Sequence, residues 1–229
     1  MDKAEFDKFA EEYYAQHAKN ISASGEDPEF FAEYKIADVA ARCAELALSP
    51  KHILDFGAGI GNSVPYFRKY FPSASLTCVD VSEKSLAIGA ERYPNGAEFV
   101  PFDGQKLPFP DQSFDITFAA CVFHHIDQAE HLGLLRELRR IRTSGGLVAI
   151  FEHNPYNPLT VHAVNTCEFD ENARLIRASA FGANLRRAGC SQIAVRYRIF
   201  FPRFLRYLRP LERFLYWLPL GAQYCVYGR

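Results

Sequence analysis

The sequence predicts a doubly wound α/β domain, a largely parallel β-sheet with helices on both faces. From residue 51 onward, short β-rich runs alternate with segments of helical period, the pattern of repeated β-α-β units. The runs are nearly continuous in apolar residues rather than alternating, as in strands buried on both faces. A glycine-rich turn, DFGAGIG at 55–61, stands where the first run meets the first helical segment.

Residues 1–50 read as two helices. Phe6, Phe9, Ala10, Tyr13 and His17 fall at helical spacing; after a Ser-Gly-Glu-Asp-Pro break, so do Ile36, Val39, Ala40, Cys43 and Leu46. The β-rich runs are HILDFG (52–57), LTCVDV (76–81), AEFVPF (97–102), FDITFAACVF (114–123) and GGLVAIFE (145–152). Between them, Val64, Phe67 and Phe71, then Leu134, Leu138 and Ile141, keep helical spacing, and Gly189 after LRRA reads as a helix C-cap. Residues 154–178 are poorly periodic and too long for an ordinary connection, which predicts a functional loop. Two more strands, 192–201 and 222–227, flank the Arg- and aromatic-rich PRFLRYLRPLERFLYWLP (202–219). This divides the chain into an N-terminal helical lid (1–50) and one α/β domain (51–229) with insertions at 154–178 and 202–219.

Composition supports that division. At 229 residues, with 48% hydrophobic and 23% charged, the chain is long enough to bury about 70% of its extended surface without staples. A net charge of −1 argues against nucleic acid as a partner. MDKAEFDKFAEEYY lacks the apolar run of a secretory signal, and no stretch of about 20 apolar residues predicts a membrane span. The six cysteines are scattered without a C-x-x-C pair, so no disulfide framework and no metal are expected, and a cytoplasmic location is.

The sharpest motif is Asp55, Gly57, Ala58, Gly59 and Gly61. Glycines there permit positive φ and close approach of main-chain N–H groups to a ligand. The register is G-x-G-x-G, not the G-x-G-x-x-G of a dinucleotide site. An acid two residues before the first glycine repels a pyrophosphate but suits an ammonium. Asp80 ends the second run, 25 residues after Asp55, where it can accept hydrogen bonds from ribose hydroxyls. A ligand with a ribose and an amino group but no phosphate is implied, and S-adenosylmethionine fits.

Here the chain resembles the class I S-adenosylmethionine-dependent methyltransferases, particularly the UbiE-like small-molecule group. The resemblance runs from about residue 51 to 152, through ILDFGAGIGNS, CVDVSEKSL, FDGQKLPFPDQSFD, CVFHHI and RTSGGLVAIFE. It implies a Rossmann-like, seven-stranded sheet with one antiparallel edge strand. It also implies that Asp55, Ala58 and the three glycines hold the methionine part, that Asp80 and Val81 flank the ribose, and that Asp103 and Gly104 meet the adenine. Cys121 would lie beside the sulfonium, and Tyr14 of the lid would touch the cofactor. S-adenosylhomocysteine would be the product.

Methyl transfer needs the acceptor aligned with the methyl group, exclusion of water and, for an alcohol, phenol or acidic carbon, a proton acceptor. His124 and His125 end the fourth run and Glu152 and His153 the fifth; the three histidines are the catalytic candidates, with Glu152 as an acceptor behind them. Transfer by alignment alone, without a base, is equally consistent with the residues. Asn154, Tyr156, Asn157 and Thr160 are candidates to hydrogen-bond a polar acceptor.

The ends of the chain carry opposite charge: eleven acids and five bases in residues 1–50, seven arginines and one glutamate in 196–229. That opposition can bring them together over the site. For 202–219, a wall of the acceptor pocket is favoured over a peripheral membrane contact or a homodimer contact, because Pro202, Pro210 and Pro219 interrupt any long helix. The function expected is methyl transfer from S-adenosylmethionine to a small-molecule acceptor, at oxygen or nitrogen. The alternatives are a nucleotide-cofactor oxidoreductase and a catalytically silent binding protein on the same fold. The glycine register opposes the first; the intact Asp55, Asp80 and Asp103 oppose the second.

Overall fold

A seven-stranded sheet organises the chain, with strand order β3-β2-β1-β4-β5-β7-β6. The computed structural model describes residues 25–167 and 170–229. Among these the helices are α1 (Pro28–Glu45), α2 (Val64–Tyr70), α3 (Glu83–Arg92), α4 (Gln128–Ile141), α5 (Pro158–Asn165) and α6 (Ala178–Arg187). The strands are β1 (His52–Phe56), β2 (Ser75–Asp80), β3 (Glu98–Pro101), β4 (Phe114–Ala120), β5 (Arg142–His153), β6 (Ala194–Arg198) and β7 (Gln223–Gly228). Each of the seven runs picked out in the sequence overlaps one strand. β1 to β5 are mutually parallel, and β7 pairs antiparallel with both β5 and the outermost β6.

Both faces of the sheet are apolar because successive side chains of each central strand point to opposite sides. Ile36, Val39 and Cys43 of α1 and Val64 and Phe67 of α2 pack with Ile53, Ile116, Phe118 and Phe151 on one face. Leu134 and Leu138 of α4 and Phe181 and Leu185 of α6 pack with Leu54, Phe56, Val148 and Ile150 on the other. Helix starts follow local chemistry. Asp27 accepts from Phe30 N at 2.7 Å with Pro28 in the first turn of α1, and Asp127 accepts from Ala129 N at 2.8 Å at α4.

The expected charge meeting occurs. Arg196 reaches Glu45 at 2.6 Å, Arg198 reaches Asp38 at 3.2 Å and Arg209 reaches Glu26 at 2.6 Å, tying α1 to β6 and the segment behind it. Two expectations change. The 154–178 stretch is not loop throughout, because Asn157 caps Thr160 N at 3.0 Å and Pro158 starts α5. The 203–214 segment runs in tight three-residue turns with Pro210 inside and a kink at Leu205. Its Phe204, Tyr207 and Phe214, and Trp217 just beyond it, stand 62–75% exposed, so they do not line a pocket against the described residues. The candidates Phe6, Phe9, Ala10, Tyr13, Tyr14 and His17 lie outside the described residues. No helix among the described residues is long and apolar enough to cross a membrane.

Candidate active site

The chain runs outward from β1 to β3 and then returns to place β4 against the other side of β1. The loops after β1 and β4 therefore diverge above the sheet at a topological switch, where α/β sheets hold ligands. The glycine turn leaves β1 there. Gly57, Gly59 and Gly61 all have positive φ (71°, 52° and 78°). A Cβ on Gly57 would stand 2.5 Å from Val122 Cγ2, so the loops after β1 and β4 pack too closely there for any side chain. A Cβ on Gly59 would meet nothing within 4 Å, so that part of the turn faces open space.

Asp55 is 2% exposed, and its Oδ2 has no hydrogen-bond partner. Burial first, then the Asp80 carboxylate, push its pKa up to about 7, against opposing pulls from Ser63 and Lys35. Asp80 is locked by main chain: Oδ2 accepts from Gly59 N at 2.9 Å and Oδ1 from Ser82 N at 2.9 Å. Asp80 thus fixes the turn that Asp55 enters. Val81, beyond it, is buried. Asp103 is exposed; its Oδ1 takes Gln105 N at 2.8 Å and Lys106 N at 2.9 Å, which lowers its pKa, and Gly104 beside it has φ 82°. A buried carboxylate oxygen left without a donor, above an open main-chain cradle, fits a ligand that brings an ammonium and lies along the glycines. S-adenosylmethionine has that chemistry.

Across the switch, Cys121 follows β4 with φ 58°, a left-handed conformation rarely held by a side-chain-bearing residue. Its N donates to Phe151 O at 2.8 Å, and the short turn Phe123–His125 follows. Glu152 of β5 reaches under that turn: Oε1 accepts from Val122 N at 3.1 Å and Phe123 N at 2.8 Å, and Oε2 lies 2.7 Å from His124 Nδ1. On the other side of His124, Asp170 Oδ1 lies 3.5 Å from its Nε2 and 3.3 Å from His125 Nε2.

Burial opposes a charge on His124, but Glu152 and Asp170 outweigh it and hold its pKa up to about 10. Burial, then His124 itself, push His125 down to about 3 and His153 to about 4. Burial works against ionisation of Asp170, yet His124 holds it down to about 2. Gln223 of β7 closes the wall: it accepts from Tyr34 OH, while its Nε2 lies 3.3 Å from His153 Nδ1 and 3.7 Å from Cys121 Sγ.

The structure thus brings His124, His125 and His153 together, the His124 ring 4.1 Å and 5.0 Å from the other two, with Cys121 beside them. Asn154, Asn157 and Thr160 do something other than expected. They bond main-chain oxygens of Pro219, Leu220, Gly221 and Ala222 and pin the approach to β7, because a long unpaired connection needs partners for its polar groups. Tyr156 is exposed and lies under Arg177.

Tyr34, Lys35, Asp170 and Gln223 were not anticipated. Lys35 is buried beside Ile36 on the inward side of α1, close enough to influence Asp55, Cys121 and His153. A lysine on an apolar helix face, and a glutamine opening an apolar strand, were the available signals. Asp170 had only an acidic EFDEN run to mark it. A separate cleft lined by His52, Arg68, Ser75, Thr77 and Glu98 opens at the amino-terminal edge of the strands, the edge opposite the switch.

Known proteins share this fold and part of this sequence. A family model described as a methyltransferase domain matches residues 54–150. The demethylmenaquinone methyltransferase of Thermotoga maritima is 33% identical over 112 residues, covering 49% of this chain and 48% of the relative. The ubiquinone/menaquinone biosynthesis C-methyltransferase UbiE of Hahella chejuensis is 28% identical over 124 residues, covering 51% and 49%. The chain spans about half the length of these curated relatives. In fold, it is similar to a solved SAM-dependent methyltransferase from Thermotoga maritima described as a possible histamine N-methyltransferase, with TM-score 0.69, 20% identity and 99% coverage of both chains.

Proposed function

We propose that this chain, which carries a class I, UbiE-like methyltransferase domain, transfers a methyl group from S-adenosylmethionine to a polar small molecule. The observation that carries this reading is the unpartnered, buried Asp55 oxygen at the foot of an open glycine turn beside Cys121. Asp55 takes the ammonium, the main chain of 57–61 lies along the methionine part, Asp80 and Val81 flank the ribose, and Asp103 and Gly104 meet the adenine. When bound, S-adenosylmethionine supplies a methyl group already activated by a sulfonium, so the protein's task is alignment and exclusion of water.

The acceptor side supports the finer choice. Tyr34, Gln223, His153 and His125 make a wall of hydrogen-bonding groups above Cys121, which suits an acceptor with a polar oxygen or nitrogen. His125 and His153 contact that acceptor; His124, 1% exposed between two carboxylates, positions them. The curated relatives are named for demethylmenaquinone and for quinone biosynthesis, so a quinone precursor is the control substrate. Six unpaired cysteines suit a cytoplasmic setting.

Titration calorimetry with S-adenosylmethionine and S-adenosylhomocysteine tests the cofactor half. Saturable binding is expected, weakened in Asp80→Ala by about 1.5–3 kcal/mol, since both the turn and the charged acceptor are lost. No heat at millimolar ligand overturns the reading. A panel of amines, phenols, carboxylates and demethylquinones then identifies the acceptor. Turnover of the quinone alone would sink the choice of oxygen or nitrogen.

A further inference from the structure

We propose that His124, His125 and Asp170 form a binding site for a divalent transition ion of the zinc class. One ligand atom from each lies within 4.8 Å of the others. His124 Nε2 and His125 Nε2 stand 3.5 and 3.3 Å from the same oxygen, Asp170 Oδ1. A direct charge-assisted N–H···O bond closes to about 2.7–2.9 Å, as His124 does to Glu152 at 2.7 Å. The wider gap matches an ion between the groups: with zinc–nitrogen and zinc–oxygen bonds near 2.0–2.1 Å, neighbouring ligands of a tetrahedral site lie about 3.3–3.4 Å apart. Binding would displace the proton that the metal-free His124 holds on Nε2, leaving its Nδ1–H to Glu152, so affinity should rise with pH.

The surroundings are those of a ligand set. Glu152 engages His124 Nδ1 and is itself fixed by Val122 N and Phe123 N. That fixes the ring's orientation and turns Nε2 toward Asp170, the carboxylate–histidine–metal arrangement. Arg174 N donates to His124 O at 2.7 Å, which ties the stretch carrying Asp170 to the turn carrying both histidines. Glu152 and Asp170 together balance the charge of a divalent ion. Two imidazoles and one carboxylate favour zinc, cobalt, nickel or iron over magnesium and calcium, which prefer oxygen. Three protein ligands leave a four-coordinate ion one position for water or for the acceptor's donor atom; the acceptor's part in this rests on the methyl-transfer reading.

The test uses the whole chain, stripped with a chelator and titrated with Co2+ and Zn2+. One ion per chain is expected, with the visible absorption bands of tetrahedral Co2+, bleached by Zn2+ and not by Mg2+. Asp170→Asn and His125→Gln should each lose more than about 100-fold in affinity, and Glu152→Gln about 10–100-fold. Circular dichroism and melting of each variant show that it is folded, and Asp170→Asn changes no volume. Absence of stoichiometric binding, or unchanged affinity in both ligand variants, overturns the proposal. Calorimetry with S-adenosylmethionine on the stripped protein separates the two readings: a chain that takes that ligand but no ion loses this site and keeps its proposed chemistry.

Discussion

The two sides of the switch are built from different materials. On the β1–β2 side, one contiguous turn and two aspartates make the site, and main-chain N–H groups do most of the holding. On the β4–β5–β7 side, side chains do most of the work and seven of them come from five separate places: His124 and His125 from a turn, Glu152 and His153 from β5, Asp170 from the stretch after α5, Gln223 from β7 and Tyr34 from α1. The first side leaves one buried carboxylate oxygen, Asp55 Oδ2, without a hydrogen-bond partner. The second binds its charges to one another. A main-chain site tolerates loss of a side chain better than loss of a glycine, whereas a side-chain network fails when one charge goes missing.

Glu152→Ala breaks that comparison hardest. It strips the His124 cation and two main-chain donors of their acceptor in a fully buried place, and should destabilise the fold by about 3–5 kcal/mol, read by urea denaturation. A loss under 1 kcal/mol would show the network to be solvated. The glycine pair sharpens the other half. Gly57→Ala should cost about 2–4 kcal/mol, combining positive-φ strain with the clash on Val122, while Gly59→Ala, strained but unobstructed, should cost about 1 kcal/mol. Equal melting temperatures for the two would mean that the loops after β1 and β4 do not touch.

Asp55→Asn separates stability from binding. The folded pKa of Asp55 is raised to about 7, so the folded state binds its proton more tightly than the unfolded state. The stability it contributes is full below about pH 4 and is lost as pH rises to 7, by at most about 1.4 kcal/mol per unit. The variant should therefore gain on the parent as pH rises from 4 to 7 and hold a constant advantage above that. At pH 8 it should bind S-adenosylmethionine about 10–100-fold more weakly, for want of the charged partner, and at pH 5 the two should converge. A parallel pH response in parent and variant would remove Asp55 from the account. The smallest effect is Glu45→Gln, which opens the half-exposed bridge to Arg196; it should cost under about 1 kcal/mol and nothing in high salt.

The sequence exposed the glycine-turn side early because its chemistry is local. Asp55, Gly57, Gly59 and Gly61 share one turn, and Asp80 announces itself at the end of the next apolar run. It gave less on the acceptor side. His124, His125 and His153 were visible as polar residues ending strands, but nothing near them in the chain named Asp170 or Gln223. Asn154, Asn157 and Thr160 looked like acceptor contacts because they follow β5. They instead hold main chain, since the stretch before β7 needs partners as much as a substrate does. The aromatic 203–214 segment looked like a wall, and it turns its large rings outward.

What the sequence determined by itself was the order of the seven strands, the glycine turn and the aspartates beside it, because period and turn chemistry act over a few neighbouring residues. The tertiary structure alone decided which distant side chains share the second half of the cleft. Which protons they hold was also decided there, because burial and the approach of like or opposite charges depend on how the strand ends are brought together in space.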